Sequence, residues 1–361
     1  MNGKILRYGI VKRVVLGATL FLFLAIGIFF AWLYSYLQTP APPILDSPSQ
    51  VVVNIPRGAS FPRIQKILAG AGLVNDDLRF ALMARYLGLA RQVKAGEFAL
   101  PVERRPVELL RQLVVAKPVQ HSVTVPEGLR IEELAAIFAA DDWCDAERFI
   151  SLARDEVFIA SLGLAPLPSL EGYLYPDTYY LTRNIHGAEA IIPILVHRFS
   201  VVWRRLVAGR EAAGEYSRLQ LVTLASLVEE EARVAMEQPR IAGVFYNRLK
   251  RGIRLQSDPT VLYGLDEHQG PITRTDLRRK TPYNTYSIPG LPRGPICNPG
   301  EKALQAVLQP EKNSYLYFVS NNDGTHVFST NLRDHNRAVY NYRRKLKKER
   351  DGEKTGQIGI N

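Results

Sequence analysis

The sequence predicts an α+β protein carried behind a single N-terminal transmembrane helix, and three observations predict it. An apolar run without a charged residue fills Val14–Leu37. Beyond it, one strand–turn–helix pattern occurs twice. From about Pro166 to Leu346, a denser segment then sets an apolar helical stretch among turns rich in Gly and Pro.

Residues 1–13 form a basic N-terminus in which Lys4, Arg7, Lys12 and Arg13 meet no acid. The run 14–37 follows. About 24 residues at about 1.5 Å each reach about 36 Å, enough for a hydrocarbon core of about 30 Å. Trp32, Tyr34 and Tyr36 sit at its far end, where an aromatic belt meets the interface. The positive-inside rule puts the N-terminus in the cytoplasm and everything after Leu37 outside. A cleaved signal peptide is the competing reading. Its apolar region is usually about 7–15 residues, and Gln38–Pro43 makes a poor cleavage site. Residues 38–50, with Pro40, Pro42, Pro43 and Pro48, read as a stiff linker.

The repeat comes next. Val53-Asn54-Ile55-Pro56-Arg57-Gly58 is matched by Val123-Thr124-Val125-Pro126-Glu127-Gly128, and the apolar offsets that follow agree, Phe61 with Ile131 and Ile64 with Leu134. Each copy predicts a short strand, a Pro/Gly turn and an amphipathic helix. In residues 51–117 a second helical stretch (76–87) and a return strand at Val93–Phe98 complete an outline that resembles a LysM module, a glycan binder. Residues 118–165 read as a connecting subdomain carrying the second copy, with a helix over Glu147–Leu162. Residues 347–361 read as a charged, disordered tail.

Composition bounds the chemistry. The chain has 361 residues, 47% of them hydrophobic, so it can build a sizeable core after the membrane helix is set aside. A net charge of +11 suits nucleic acid, anionic lipid or an acidic polymer. The basic residues are spread out, and the topology exports most of them, which disfavours nucleic acid. Cys144 and Cys297 are far apart, the six histidines are scattered, and HExxH, GxSxG and P-loop signatures are absent from the sequence. No metal or nucleotide cofactor is expected.

Candidate functional residues fall in three stretches of 166–346. The first, Leu170–Tyr179, brings Glu171, Tyr173 and Asp177 into one turn-rich run. Aromatic faces stack on sugar rings and carboxylates accept bonds from hydroxyls. The second, Leu219–Ala232, is helical by period, with Leu221, Leu224, Ala225, Val228 and Ala232 on one stripe. Glu229 lies on the edge of that stripe, Glu230 on the opposite side, and Glu231 on the other edge. A carboxyl held against an apolar face is partly desolvated, and its raised pKa lets it serve as a general acid near neutrality. The plainer reading, a solvated acidic face, suits Glu230 best. The third stretch, 241–299, alternates amide, hydroxyl and aromatic residues with fixed turns. Asn247, Gln256, Asp258, Tyr263, Asn284, Tyr286 and Asn298 offer the donors and acceptors that N-acetyl sugars require.

These runs together resemble the MltG/YceG-like family of endolytic murein transglycosylases. The matching pieces are EGYLYPDTY, LASLVEEEA, VFYNRL, LQSDPTVLYG, YNTY and GLPRGPICNPG, closing with YLYFV, HVFST and His335-Asn336. The anchor, the KAGEF stretch and the VPEG turn fit as well. The resemblance implies a catalytic domain over 166–346, with Glu229 as acid/base and the other motif residues lining a glycan groove. It implies cleavage of the bond between N-acetylmuramic acid and N-acetylglucosamine with closure of a 1,6-anhydro ring. It also implies peptidoglycan strands as substrate, and a setting near wall-synthesis proteins. Two alternatives stay open: a tethered wall-binding scaffold without activity, and a lysozyme-type hydrolase using Glu171, Asp177 or Asp258 as second carboxylate.

Overall fold

The computed structural model describes residues 2–39, 49–102, 104–164, 166–208, 216–265 and 270–357, with side chains from Lys12 to Leu346. The chain divides into two compact units, Met1–His121 with Tyr180–Asn184, and Ser122–Tyr179 with Ile185–Asn361.

The first unit begins with helix α1 (Asn2–Gln38). Its Lys12–Gln38 part is long and apolar enough to cross a membrane, with a mean hydropathy of 2.6. The prolines of the expected linker lie outside the described residues. Strand β1 (Gln50–Ile55), helices α2 (Phe61–Gly70) and α3 (Leu78–Tyr86), strand β2 (Gly96–Pro101) and helix α4 (Pro106–Val115) follow. β1 and β2 pair antiparallel, Val53 opposite Phe98 and Ile55 opposite Gly96. Alternation turns Val53 and Ile55 inward, where they join Leu68, Phe80, Phe98, Leu100 and Leu110 in a closed core. Tyr36, from the last turns of α1, is buried in that same core. Pro106 opens α4 at a position where its missing N–H costs nothing, and Asp77 caps α3 through the Arg79 N–H at 2.9 Å.

The second unit holds strand β3 (His121–Thr124), whose first residue belongs to the first unit. Helices α5 (Ile131–Ala140), α6 (Ala146–Ala153) and α7 (Glu156–Ser161) come next. Residues 122–164 belong to this unit. Within it α5 lies on α6, and α6 on helix α8 (Ala188–Val207). Strand β4 (Thr178–Leu181) pairs with β3, and the Val125 N–H donates to the Asp177 carbonyl at 2.9 Å.

Helix α9 (Arg218–Glu231) is the centre of the unit. The sequence gives it one apolar stripe, but every residue from Leu221 to Val228 is buried, Thr223 and Ser226 included. Those two polar residues need no outer face, because each hydroxyl donates back to its own helix, to the carbonyls of Leu219 and Thr223. Around α9 pack helices α10 (Gln238–Lys250), α11 (Asp258–Tyr263) and α13 (Glu301–Leu308), with α12 (Arg274–Arg278) between the last two in sequence. The hairpin β5 (Tyr317–Ser320) and β6 (His326–Ser329) leads into helix α14 (Leu332–Gln357). That helix takes in 347–357, expected to lack structure. The stretch is rich in Lys, Arg and Glu, which are strong helix formers. Cys144 and Cys297 are both buried free thiols.

Candidate active site

Three loops meet at the C-terminal end of α9, and one residue ties them. Asn298 accepts the Leu174 N–H on its side-chain oxygen at 2.9 Å. Its amide donates to the Leu129 carbonyl at 2.9 Å and to Glu171 Oε1 at 3.0 Å. Its backbone completes a two-way exchange with the VPEG turn: the Gly128 N–H donates to the Asn298 carbonyl, and the Asn298 N–H to the Leu129 carbonyl, both at 2.9 Å. The EGYLYP loop, the VPEG turn and the CNPG loop are thus one object. Gly172 lets that object close on α9. Its φ is +82°, and a Cβ there would stand 2.6 Å from Pro295 and 2.8 Å from Val222.

At this junction α9 ends in three glutamates with different surroundings. Glu229 is half-buried, and its Oε2 accepts the Gly300 N–H at 3.1 Å, at the N-cap of α13. Its Oε1 has no hydrogen-bond partner among the described residues. Loss of water pushes the carboxyl up to about 7; the Gly300 N–H opposes this, and the nearby charges of Glu127 and Glu230 add to it. Glu127 reaches the same spot from the VPEG turn: a Cβ on Gly300 would collide with its carboxylate, and one on Gly128 would lie 3.9 Å from Glu229 Cγ. Glu231 accepts the Ser257 hydroxyl at 2.5 Å and holds the loop ahead of α11; burial raises its carboxyl to about 7 as well.

An open cavity of about 950 Å³ lies beside this junction. Glu127, Gly128, Arg130, Glu230, Tyr263 and Tyr283 are among its walls. Tyr283 and Tyr263 meet edge-on at 4.7 Å, and the Arg130 guanidinium lies 5.2 Å from the Tyr263 ring centre. This gives a polar trough with an aromatic side and charges of both signs, the surface a polyhydroxylated chain with carboxylates would meet. Glu230, expected on a solvated face turned away, is exposed but faces into this cavity, and burial by its neighbours raises its carboxyl. Glu229 stands behind Gly128 and is not among the wall residues.

The predicted groove residues part company here. Tyr263 lines the cavity, and its hydroxyl donates to Glu171 Oε2 at 3.0 Å. Glu171 itself is 1% exposed, behind the cavity; burial pushes its carboxyl up to about 8 against the opposing bonds from Tyr263 and the Ile131 N–H. Tyr173 is a core residue, packed 4.8 Å from the Phe199 ring. Asp177 is held by Arg198 at 2.6 Å. Asn284 and Asn298 are buried, the former donating to the carbonyls of Asp276, Leu277 and Arg279. Asn247 donates to the carbonyls of Asn313 and Tyr315, tying α10 to the segment before β5. Gln256 is exposed at a φ of +52°. Asp258 is exposed and accepts the Tyr286 hydroxyl at 2.6 Å. Glu171, Tyr173, Asn247, Asn284 and Asn298 are not among the cavity's wall residues; bonds within the fold take up polar atoms of Glu171 and the three asparagines, and Tyr173 is held by ring packing.

Glu127, Arg130, Tyr283 and Gly300 were missed. Glu127 carried a signal: it stands where the first repeat copy has Arg57, so backbone geometry alone does not dictate the residue.

Comparison with known proteins agrees along most of the chain. The model of the YceG-like family matches residues 53–341. An endolytic murein transglycosylase of Bacillus subtilis is 33% identical over 312 residues, 82% of this chain and 86% of that protein. One from Streptococcus pneumoniae is 30% identical over 365 residues, 91% of this chain and 65% of that protein. A crystal structure of a YceG-like protein from Listeria monocytogenes superposes with a TM-score of 0.55 at 32% identity, covering 81% of this chain and 99% of that one.

Proposed function

The chain belongs to the YceG-like family, and from that premise we propose that it is an endolytic peptidoglycan transglycosylase in which Glu229 is the single acid/base. The observation that carries the assignment is the carboxyl's position. It is half-buried, raised to about 7, held on one oxygen by the Gly300 N–H and open on the other. Such a group is partly protonated at neutral pH, which general acid catalysis requires.

The sequence of events follows from that protonation state. Glu229 delivers its proton to the oxygen that links muramic C1 to the N-acetylglucosamine ring, and the C1–O bond breaks. The muramic C6 hydroxyl then bonds to C1, giving up its proton to the Glu229 carboxylate. A 1,6-anhydro end forms, the acid is restored, and no water is consumed. Glu127 has a supporting part, since its charge adds to the effect of burial in favouring the protonated form of Glu229. Tyr263, Tyr283 and Arg130 are the residues whose faces and charge suit the strand. A lysozyme-type hydrolase would need a second free carboxylate. Glu171, Asp177 and Asp258 are engaged by Asn298 and Tyr263, Arg198 and Tyr286, which speaks against them in that role.

The test compares wild type with Glu229→Gln on isolated sacculi, reading soluble products by mass spectrometry. Anhydromuramic ends from wild type and none from the variant support the proposal. Equal activity removes Glu229, and reducing ends from wild type indicate hydrolysis. The same proposal includes a cytoplasmic N-terminus with the second unit outside the membrane, supported by the basic residues that precede the apolar run. A LysM-type glycan contact by residues 51–117 and a place beside wall-synthesis proteins belong to it as well.

A further inference from the structure

In the first unit, α1 does more than lead into the fold. Counting about 20 residues from Val14 for a hydrocarbon core of about 30 Å puts its far boundary near Leu33. Yet the folded part of the unit reaches α1 before that boundary. An open apolar cleft of about 550 Å³ is walled by Phe30, Leu33, Tyr34 and Leu37 of α1, and by Met83 and Tyr86 of α3. Phe30 lies about one turn inside the boundary, so the end of α3, which shares the cleft with α1, stands at the depth of the interface.

The outer face of α3 suits that depth. Leu78, Leu82 and Tyr86 are spaced four apart, forming one stripe, and are 75%, 39% and 90% exposed. From 78 to 96 the chain carries Arg79, Arg85, Arg91 and Lys94 and no acidic residue. Arg79 stands 5.1 Å from the Trp32 ring centre and 4.4 Å from that of Tyr36. It is fixed there by Asp77, and so joins α3 to the aromatic belt. A short helix with apolar residues outward and cations beside them is the composition of an element lying in a lipid interface.

We infer that α3 is a second membrane-contacting element: its Leu78–Leu82–Tyr86 face lies in the same leaflet boundary that α1 crosses, and the cleft between α1 and α3 takes a phospholipid acyl chain. The inference rests on the reading of α1 as a membrane span. It gives that unit a fixed height and tilt on the bilayer, where a flexible tether alone would give neither.

The experiment uses the full-length chain reconstituted in vesicles of phosphatidylethanolamine and phosphatidylglycerol, with and without doxyl-labelled lipid. Phe21→Cys, Tyr86→Cys and Val52→Cys are each labelled with an environment-sensitive fluorophore; Cys144 and Cys297 are buried, and an unsubstituted control corrects for any label they take. Val52 is exposed on the sheet face opposite inward-turned Val53. Loss of emission to doxyl lipid at Phe21 and Tyr86, with Val52 unaffected, is the expected result. Loss at Phe21 alone overturns the inference and leaves the anchor standing. No loss at Phe21 overturns the anchor, and the inference with it. Equal loss at Tyr86 and Val52 overturns it too, as indiscriminate adsorption. If a second copy covers the stripe instead, the Tyr86 labels self-quench as protein is added and ignore the doxyl lipid, which is also a refutation.

Discussion

Replacing Glu229 by Gln removes the charge and keeps the shape, and the structure predicts opposite effects on activity and stability. The folded carboxyl sits near 7, above its ordinary 4.5. Below about pH 4.5 the folded and unfolded chains both hold the proton, so Glu229 has no pH-linked effect. Between 4.5 and 7 the unfolded chain releases the proton while the folded chain keeps it, and stability falls. Above 7 the folded chain carries a half-buried charge, and the deficit levels off. A displacement of about 2.5 in pKa at 1.36 kcal/mol each gives a ceiling of about 3 kcal/mol. Water reaching the half-buried carboxyl screens part of it, leaving on the order of 1–2 kcal/mol. The Gln amide oxygen still accepts the Gly300 N–H, so the variant keeps that bond. Urea denaturation of the two proteins in detergent, followed by tryptophan emission, should show Glu229→Gln more stable by on the order of 1–2 kcal/mol at pH 8 and equal at pH 4. Turnover of sacculi should fall by about 10²–10⁴. A variant no more stable at pH 8 than wild type would mean an ordinary solvated carboxylate, and the general-acid reasoning would fail even if activity were lost.

Four further substitutions, at three positions, probe the surroundings. Glu127→Gln removes a charge that raises Glu229, so Glu229 ionises at lower pH; the alkaline limb of the sacculus-cleavage profile should move to lower pH, and an unmoved limb would dissociate the two residues. Glu171→Gln keeps a polar partner for Asn298 and Tyr263 and should cost no more than about 1.5 kcal/mol, whereas Glu171→Ala leaves them and the Ile131 N–H facing a void and should cost about 3 kcal/mol or more, both read from urea midpoints. Gly172→Ala should cost about 2–4 kcal/mol, since a left-handed backbone acquires a Cβ within 3 Å of Pro295 and Val222; a thermal midpoint equal to wild type would mean that the loop shifts freely and does not define the site.

Much of the fold was legible because it depends on period. The charge-free run, the paired strands β1 and β2 and the α9 helix all announce themselves by hydrophobic spacing. Contacts between distant segments did not. Nothing in the local sequence of 118–165 says that α6 will pack on α8, or that the VPEG turn will exchange bonds with Asn298 some 170 residues away. The helical wheel placed Glu229 at the edge of a stripe, but α9 is buried all round through Val228. What sets Glu229 apart is that it comes just after the last fully buried turn, next to an N–H from another helix.

The asparagines of the predicted site share one physical circumstance. The described strands form three two-stranded sheets, so the long loops around α9 have little ladder to satisfy their carbonyls and N–H groups. Side chains take over: Asn247, Asn284, Asn298 and Arg248 spend their donors on loop carbonyls, and Arg248 alone reaches those of Leu316, Arg254 and Leu255. Amides and guanidinium groups concentrated in turns look like ligand binders in a sequence because the chemistry is the same. The difference lies in whose oxygen they meet. A groove made of such loops stays in shape only if those bonds persist without substrate, which is how a lone carboxyl can wait at the right height with its proton in place. Most of the polar motif residues thus hold the frame, leaving Glu127 and the Tyr263–Tyr283 pair in the cavity wall, with Glu229 just behind Gly128.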